Sequence, residues 1–249
     1  MAELRIETAD GIGAITLARP DKKNAITDAM YAGMADALAG MADDPAVRVA
    51  LIAGEGDDFC AGNDISMFAA AAGKPEAALT NVARFLDAIS RFPKPLVAAV
   101  TGRAIGIGTT MLLHCDLVYL AKDAALLTPF VDLGLVPEAG SSRLLPARIG
   151  HVRAFALFGL GEAIDGRQAV SLGLANAALP AGDVLEAARR AARRLAERPM
   201  GALIATKKLM RDDESVQSAI TTDTAAFVER LSSPEAAAAF AAFAARKAG

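Results

Sequence analysis

Tryptophan is missing from this chain, and histidine and cysteine are nearly so, with two of each. Each shortage excludes something. Cys60 and Cys115 alone cannot staple a domain of 249 residues, so a disulfide framework is ruled out. His114 and His151 are the whole histidine supply, which leaves no His/Cys metal cluster and no catalysis shared among several histidines. Aromatic residues make up only 5%, too few for an aromatic-rich core or stacking surface. The net charge of −3 gives no support to nucleic-acid binding, and it is too small, beside an apolar fraction of 53%, for a disordered chain. The longest apolar stretch, Leu96–Leu113, is broken by Arg103 and three glycines, so no membrane span is expected. Met1–Asp10 carries acids and runs into a strand-like pattern, which predicts no signal peptide and a cytoplasmic protein. The final Arg246-Lys247-Ala248-Gly249 is not a Ser-Lys-Leu address.

What is present is alanine in excess, favouring closely packed helices, on a chain long enough to bury about 70% of its unfolded surface. Leu4–Thr8 and Gly13–Leu17 read as strands around the turn Asp10-Gly11. Thr27 caps a helix reaching about Met41, with Ala29, Met30, Met34 and Leu38 at helical spacing. Val47–Ala53 and Leu96–Val100 read as buried strands. Helical patterns resume near Ile65 and over Pro75–Arg91, and Gly102–Gly108 is a glycine-rich turn feeding a helix through Met111–His114. Leu117–Ala121 and Leu126–Thr128 are strand-like; beyond Ala139 the chain is mainly helical, with a break at Leu174–Pro180. Alternating strands and helices predict an α/β fold with a helical C-terminal region, divided as 1–190 and 191–249 within one fold unit. Arg189, Arg190, Arg193 and Arg194 read as a solvated helix face or subunit contact, and Lys207 and Lys208 as another solvated face.

Four segments hold residues suited to chemistry: Arg19–Ala25, Phe59–Ile65, Val100–Gly108 and Thr128–Glu138. The second and third each end a strand and open a helix. Such a junction leaves backbone N–H groups at a positive helix terminus, ready for a phosphate or a developing oxyanion. Gly106-Ile107-Gly108 is neither a dinucleotide fingerprint, since Met111 stands where the third glycine belongs, nor a P-loop, since Thr109 replaces the lysine. Glu138 by itself reads as a surface loop carboxylate after a proline, ahead of a catalytic acid. The two cysteines read as small buried apolar residues, and Asp116 and Asp132 as structural.

Arg-Pro-x-x-x-Asn-Ala, Phe-x-Ala-Gly-x-Asp-Ile and Gly-x-Ala-x-Gly-x-Gly, in this order from Arg19, together resemble the crotonase or enoyl-CoA hydratase/isomerase superfamily. The resemblance implies a ββα spiral with a C-terminal helical trimerisation region, a homotrimer or dimer of trimers, and acyl-CoA thioester substrates. It implies no separate cofactor, since CoA belongs to the substrate. The backbone N–H groups of Asn63 and Ile107 would form the oxyanion hole, each worth about 3–4 kcal/mol to an enolate. Lys22 (or Lys23), Ala25, Ala61, Asp64 and Ile65 would border the CoA. Hydratases of this family resemble one another in two glutamates, but here Thr110 and Phe130 stand in those places. The acid is instead Glu138, as in the Δ3,Δ2-enoyl-CoA isomerases of peroxisomal type and their bacterial relatives. One base suffices for that reaction, and Phe130, Leu133, Leu135 and Val136 would keep it dry and raise its pKa. The rival expectations are a hydratase or another enolate-forming enzyme, and a non-catalytic acyl-CoA-binding oligomer.

Overall fold

The computed structural model describes residues 3–64 and 79–248. Its larger sheet has the order β1-β2-β3-β4-β6-β9, from Leu4–Ala9, Ile12–Leu17, Val49–Gly54, Leu96–Val100, Leu117–Ala121 and Ala177–Leu179. The hairpin β1–β2 is antiparallel, turning at Asp10 and Gly11, both with positive φ; every other pairing in this sheet is parallel. A smaller sheet sets β5 (Arg103–Ile105) parallel to β7 (Ala125–Leu127), with β8 (Ile164–Asp165) antiparallel beside β7. Strands β3 and β4 are apolar without alternation because both faces are covered, the usual state of an internal parallel strand.

The chain winds by repeating one unit: a strand in the large sheet, a turn, a strand in the small sheet, then a helix. β4 passes through Gly102 into β5 and then helix α3 (Ile107–Thr110); β6 passes through Ala124 into β7. Cys60, bridged to Ala104, is the corresponding small-sheet position after β3. Gly102 allows the crossing, since a Cβ there would lie 2.0 Å from the Asp57 carbonyl. Asp58 then locks this corner by accepting from the backbone and side chain of Arg103 at 2.8–3.0 Å.

Helices α1 (Asp28–Asp43) and α2 (Thr80–Arg91) pack together on one side. Thr27 caps α1 by accepting from the Met30 N–H, and Met30, Tyr31, Met34, Leu38 and Met41 form its buried stripe, with Ala29 exposed. After α4 (Ser141–Ile149), α5 (His151–Gly159) and α6 (Gly166–Ser171), helix α7 (Ala181–Ala196) crosses β3, β4 and β6. Its inner face is Val184, Ala187, Ala188, Ala191 and Ala192, small side chains that let helix and sheet approach closely, while its four arginines are exposed. Residue 190 lies inside α7, so the expected division of the chain falls in mid-helix. α8 (Met200–Met210), α9 (Asp213–Leu231) and α10 (Pro234–Ala248) complete the chain.

Several elements differ from the sequence reading. The glycine-rich turn contains strand β5, and the helix after it shortens to α3 followed by a 3-10 turn at Met111–His114. The break at Leu174–Pro180 holds β9, the edge strand of the large sheet, too short and alanine-rich to carry a strand pattern. The strand expected at Val47 begins at Val49, and the described part of the second helix begins at Thr80. The helical pattern expected from Ile65 lies outside the described residues.

The first functional loop is pinned by Asn24, fully buried at φ +55°. Its Nδ2 donates to the carbonyls of Glu55 (2.9 Å) and Asp58 (2.6 Å), and its Oδ1 accepts from the Arg19 N–H (2.8 Å). Asn24→Ala orphans all three groups and keeps a left-handed residue without asparagine's tolerance for it. The expected cost is about 2–4 kcal/mol, read as a lower urea midpoint with an unchanged m-value.

Candidate active site

Beyond β3, Phe59 and Cys60 run beside the β4–β5 corner: the Cys60 N–H donates to Arg103 O and the Ile105 N–H to Cys60 O, both at 2.9 Å. Gly62, at φ +92°, turns the chain, and a Cβ there would stand 3.1 Å from the Ile105 carbonyl. The next residues pair with Ile26: its N–H reaches Gly62 O, and the Asp64 N–H reaches Ile26 O, both at 2.8 Å. In a parallel bridge the residue between those two groups points its own N–H the other way, and that residue is Asn63.

Ile107 is the first residue of α3, so its N–H has no acceptor within the helix. Gly106, at φ +56° and ψ −119°, makes the entry, and its carbonyl takes the N–H groups of both Thr109 and Thr110 at 2.9 Å. Gly108 then rests on the Asn63 segment, since a Cβ on it would be 2.8 Å from Cys60 O. Two amides remote in sequence thus sit on segments packed directly together.

Glu138 is buried, 7% exposed. Ala139 and Gly140 follow at φ +61° and +69°, turning the chain sharply into α4. Thr110, itself fully buried, donates its hydroxyl to Glu138 Oε1. Burial pushes the Glu138 carboxyl up to about 7; the nearby Asp223 charge adds to the rise, and the Thr110 hydrogen bond opposes it. Glu138 and Asn63 open on one cavity of about 510 Å³, walled by Val82, Ala83 and Leu86 of α2 and by Phe227 and Val228 of α9. Glu138 is the one carboxylate among the described residues lining it. At the two positions where hydratases carry glutamates, Thr110 holds Glu138, and Phe130 is buried with its ring 6.2 Å from that of Phe158.

The cavity that Glu138 opens on is walled by α2 and α9, while Phe130 and Leu135 of its own loop are buried in the core and Leu133 and Val136 pack against it. Helix α9 also supplies Asp223, which the sequence reading missed. Gly140 at the α4 N-cap has no side chain to offer, and Asp223 takes its place, accepting from the Ser142 hydroxyl (2.5 Å) and N–H (3.4 Å). A signal existed: α9 buries Val216, Ile220, Asp223 and Phe227, a helical stripe in which one member is charged. His114 donates Nε2–H to the Ala139 carbonyl (2.9 Å), and burial pushes its pKa down to about 4, so it is neutral and structural. Cys60 and Cys115 are buried thiols pushed up to about 12, hence inert, as read.

The residues expected around CoA are brought together by the same Ile26 pairing. The Ala61 N–H donates to Lys23 O (2.9 Å), and Arg19 Nη1 joins the Ala25 carbonyl (2.7 Å) to Asp64 Oδ2 (3.0 Å) while its Nε meets Glu3 (3.0 Å). Lys22 and Lys23 are exposed beside this knot, and Ile65 lies outside the described residues. Lys207 corrects the reading of a solvated face: its side chain is 9% exposed, bonded to the Lys94 carbonyl (2.8 Å) and paired with Asp116 (2.7 Å), whereas Lys208 is exposed. Among the described residues no His, Cys, Asp or Glu group could hold a metal, and no helix is long and apolar enough to cross a membrane.

Comparison with known proteins agrees with this geometry. The enoyl-CoA hydratase/isomerase family model matches residues 7–248. The chain is 35% identical over 213 residues to rat enoyl-CoA delta isomerase 2, covering 84% of this chain and 54% of that protein, so it spans about half the length of that relative. It is 32% identical over 218 residues to 2,3-dehydroadipyl-CoA hydratase of Escherichia coli, covering 87% of this chain and 84% of the relative. The solved structure of OdaA from Pseudomonas aeruginosa superposes with a TM-score of 0.93 at 47% identity, covering 98% of this chain and 99% of that one. With its ββα winding and matched family model, the chain belongs to the enoyl-CoA hydratase/isomerase family and has the crotonase fold.

Proposed function

We propose that this protein is an enoyl-CoA isomerase that moves a 3-enoyl-CoA double bond to the 2-position, with Glu138 as the single proton carrier. The observation that carries this reading is Glu138 as the one carboxylate among the described residues lining the cavity it shares with Asn63, with Thr110 and Phe130 where a hydratase needs its acids. The thioester carbonyl sits between the N–H groups of Asn63 and Ile107. Ionised Glu138 removes a proton from C2, the C2–H electrons form the C1–C2 double bond as the carbonyl π pair moves onto oxygen, and the two amides hold the resulting dienolate, which C3–C4 extends in conjugation. The same carboxyl then returns the proton to C4. Water addition in this family's manner needs one group to activate water and another to deliver a proton, and among the described residues lining the cavity there is no second carboxylate. Thr110 engages Oε1, leaving Oε2 as the oxygen that travels between C2 and C4.

The CoA lies along Lys22, Ala25, Ala61, Asp64 and Ile65, with Lys22 or Lys23 meeting its phosphates; Arg19 keeps the Asp64 segment in place. Homo-oligomerisation as a trimer or dimer of trimers is supported by large apolar side chains left outside, among them Phe155 and Val152 on α5 and Leu209 and Met210 on α8.

Purified protein is expected to convert 3-hexenoyl-CoA to 2-hexenoyl-CoA without forming 3-hydroxyhexanoyl-CoA, and Glu138→Gln to lower kcat by at least about a thousandfold. Hydration that survives Glu138→Gln sinks the proposal in favour of a hydratase. Binding without either reaction favours a non-catalytic acyl-CoA-binding protein.

The pH dependence follows from the carboxyl being the base. kcat/KM is expected to rise with pH through about 7 and then level off. Thr110→Val removes the hydrogen bond that favours the ionised form, so the limb moves to higher pH, and Thr110→Ser brings it back. A profile that stays in place excludes Thr110 as a partner of the working carboxylate.

Stability has the opposite pH trend. Because the folded-state pKa lies above the unfolded value, the folded protein holds the extra proton between about 4.5 and about 7, and stability falls as pH rises through that window. Glu138→Gln removes this burden and is expected to stabilise the protein at pH 8 by about 3 kcal/mol, with no gain at pH 4. Urea unfolding at the two pH values measures the difference.

A further inference from the structure

The cavity beside Glu138 is mostly apolar, and Asn63 is one of its polar lining residues, with Thr80, Arg84 and Thr224. The Asn63 side-chain amide is chemically separate from the backbone N–H already assigned to the thioester. Its Oδ1 accepts a hydrogen bond of 2.5 Å from the Tyr31 hydroxyl. Tyr31 is fully buried in α1, and its ring packs against Phe85 of α2 at 5.5 Å between centroids. A buried phenol needs a partner, and among the described residues Asn63 supplies it. Burial, with the charges of Glu138 and Cys60 adding to it, holds the phenol well above its ordinary pKa, so it remains an O–H donor.

This contact fixes which way the amide faces. With Oδ1 committed to Tyr31, Nδ2 presents its two N–H groups on the other side, where among the described residues it has no hydrogen-bond partner. The reverse orientation would turn the amide oxygen toward a cavity that already holds the Glu138 carboxylate, acceptor facing acceptor. Asn63 therefore brings to the cavity it shares with Glu138 a held amide donor without a partner among the described residues.

A hydrocarbon acyl chain would strip water from Nδ2 and give it nothing in return. An oxygen on the acyl chain restores the bond. We propose that Asn63 is a specificity residue, and that the preferred ligands are acyl-CoA thioesters carrying a hydroxyl, oxo or ether oxygen within a few carbons of the carbonyl. This rests on the acyl-CoA reading above and narrows its substrate class. A site built around a donor disfavours the analogue that lacks the acceptor, here by about ten- to a hundredfold.

Isothermal titration of the intact protein with hexanoyl-CoA, and with hexanoyl-CoA bearing one hydroxyl at C3, C4 or C5, tests this without any turnover. At least one hydroxylated ligand is expected to bind about tenfold or more tighter than hexanoyl-CoA. Asn63→Leu should bring that ratio to about one. Tyr31→Phe keeps the ring against Phe85 but releases the amide, and should cut the ratio several-fold, which keeps the test available if Asn63→Leu folds poorly. The inference alone is overturned if hexanoyl-CoA binds as tightly as every hydroxylated ligand, or if the preference is unchanged in both variants. Failure of all the ligands, hexanoyl-CoA included, overturns the acyl-CoA reading and this one with it.

Discussion

A carboxyl group taken out of water into an apolar cavity resists ionisation, and the surroundings of Glu138 are organised about that resistance. Burial raises its pKa to about 7, where a carboxyl is ionised often enough to act as a base and basic enough to remove a weakly acidic proton. Thr110 limits the rise by donating to Oε1, and Asp223 adds to it from across the α4 N-terminus. The cost appears as lower stability above pH 4.5, offset by the core elsewhere. The cavity that the carboxyl opens on is walled largely by apolar side chains of α2 and α9.

The other half of the site is made of backbone and depends on missing side chains. Gly62, Gly106 and Gly108 let segment 60–63 and the start of α3 lie together, because a Cβ at 62 or 108 would press on Ile105 or Cys60, and Gly106 takes a backbone conformation that other residues avoid. Asn24, Arg19 and Asp58 hold the adjoining loops by bonding mostly to carbonyls and backbone amides. The chemistry proposed for this chain asks nothing of histidine, cysteine or aromatic residues, since two backbone N–H groups and one acid would supply its essentials.

Much of this was legible in the sequence, and the reasons differ by residue. The ordered motifs from Arg19 to Gly108 identify the fold because their glycines and Asn24 answer to local backbone geometry, which sequence records directly. Glu138 stood out by the loss of acids at Thr110 and Phe130. The cavity walls did not stand out, because Val82, Leu86, Phe227 and Val228 are ordinary apolar helix residues whose facing is decided by how α2 and α9 dock. Lys207 was misread for the same reason: its partners Asp116 and the Lys94 carbonyl are remote in sequence, so an interior lysine looks like a surface one. Strand β9, three residues long, is set by its pairing with β6 and carries no periodicity of its own.

The central claim is that one shielded carboxyl both takes and returns the proton. It is tested most directly with 3-hexenoyl-CoA dideuterated at C2, incubated in ordinary water, with the product read by mass spectrometry and NMR. The account predicts 2-hexenoyl-CoA in which part of the deuterium lost from C2 has reappeared at C4. A product without deuterium at C4, accompanied by 3-hydroxyhexanoyl-CoA, would contradict it.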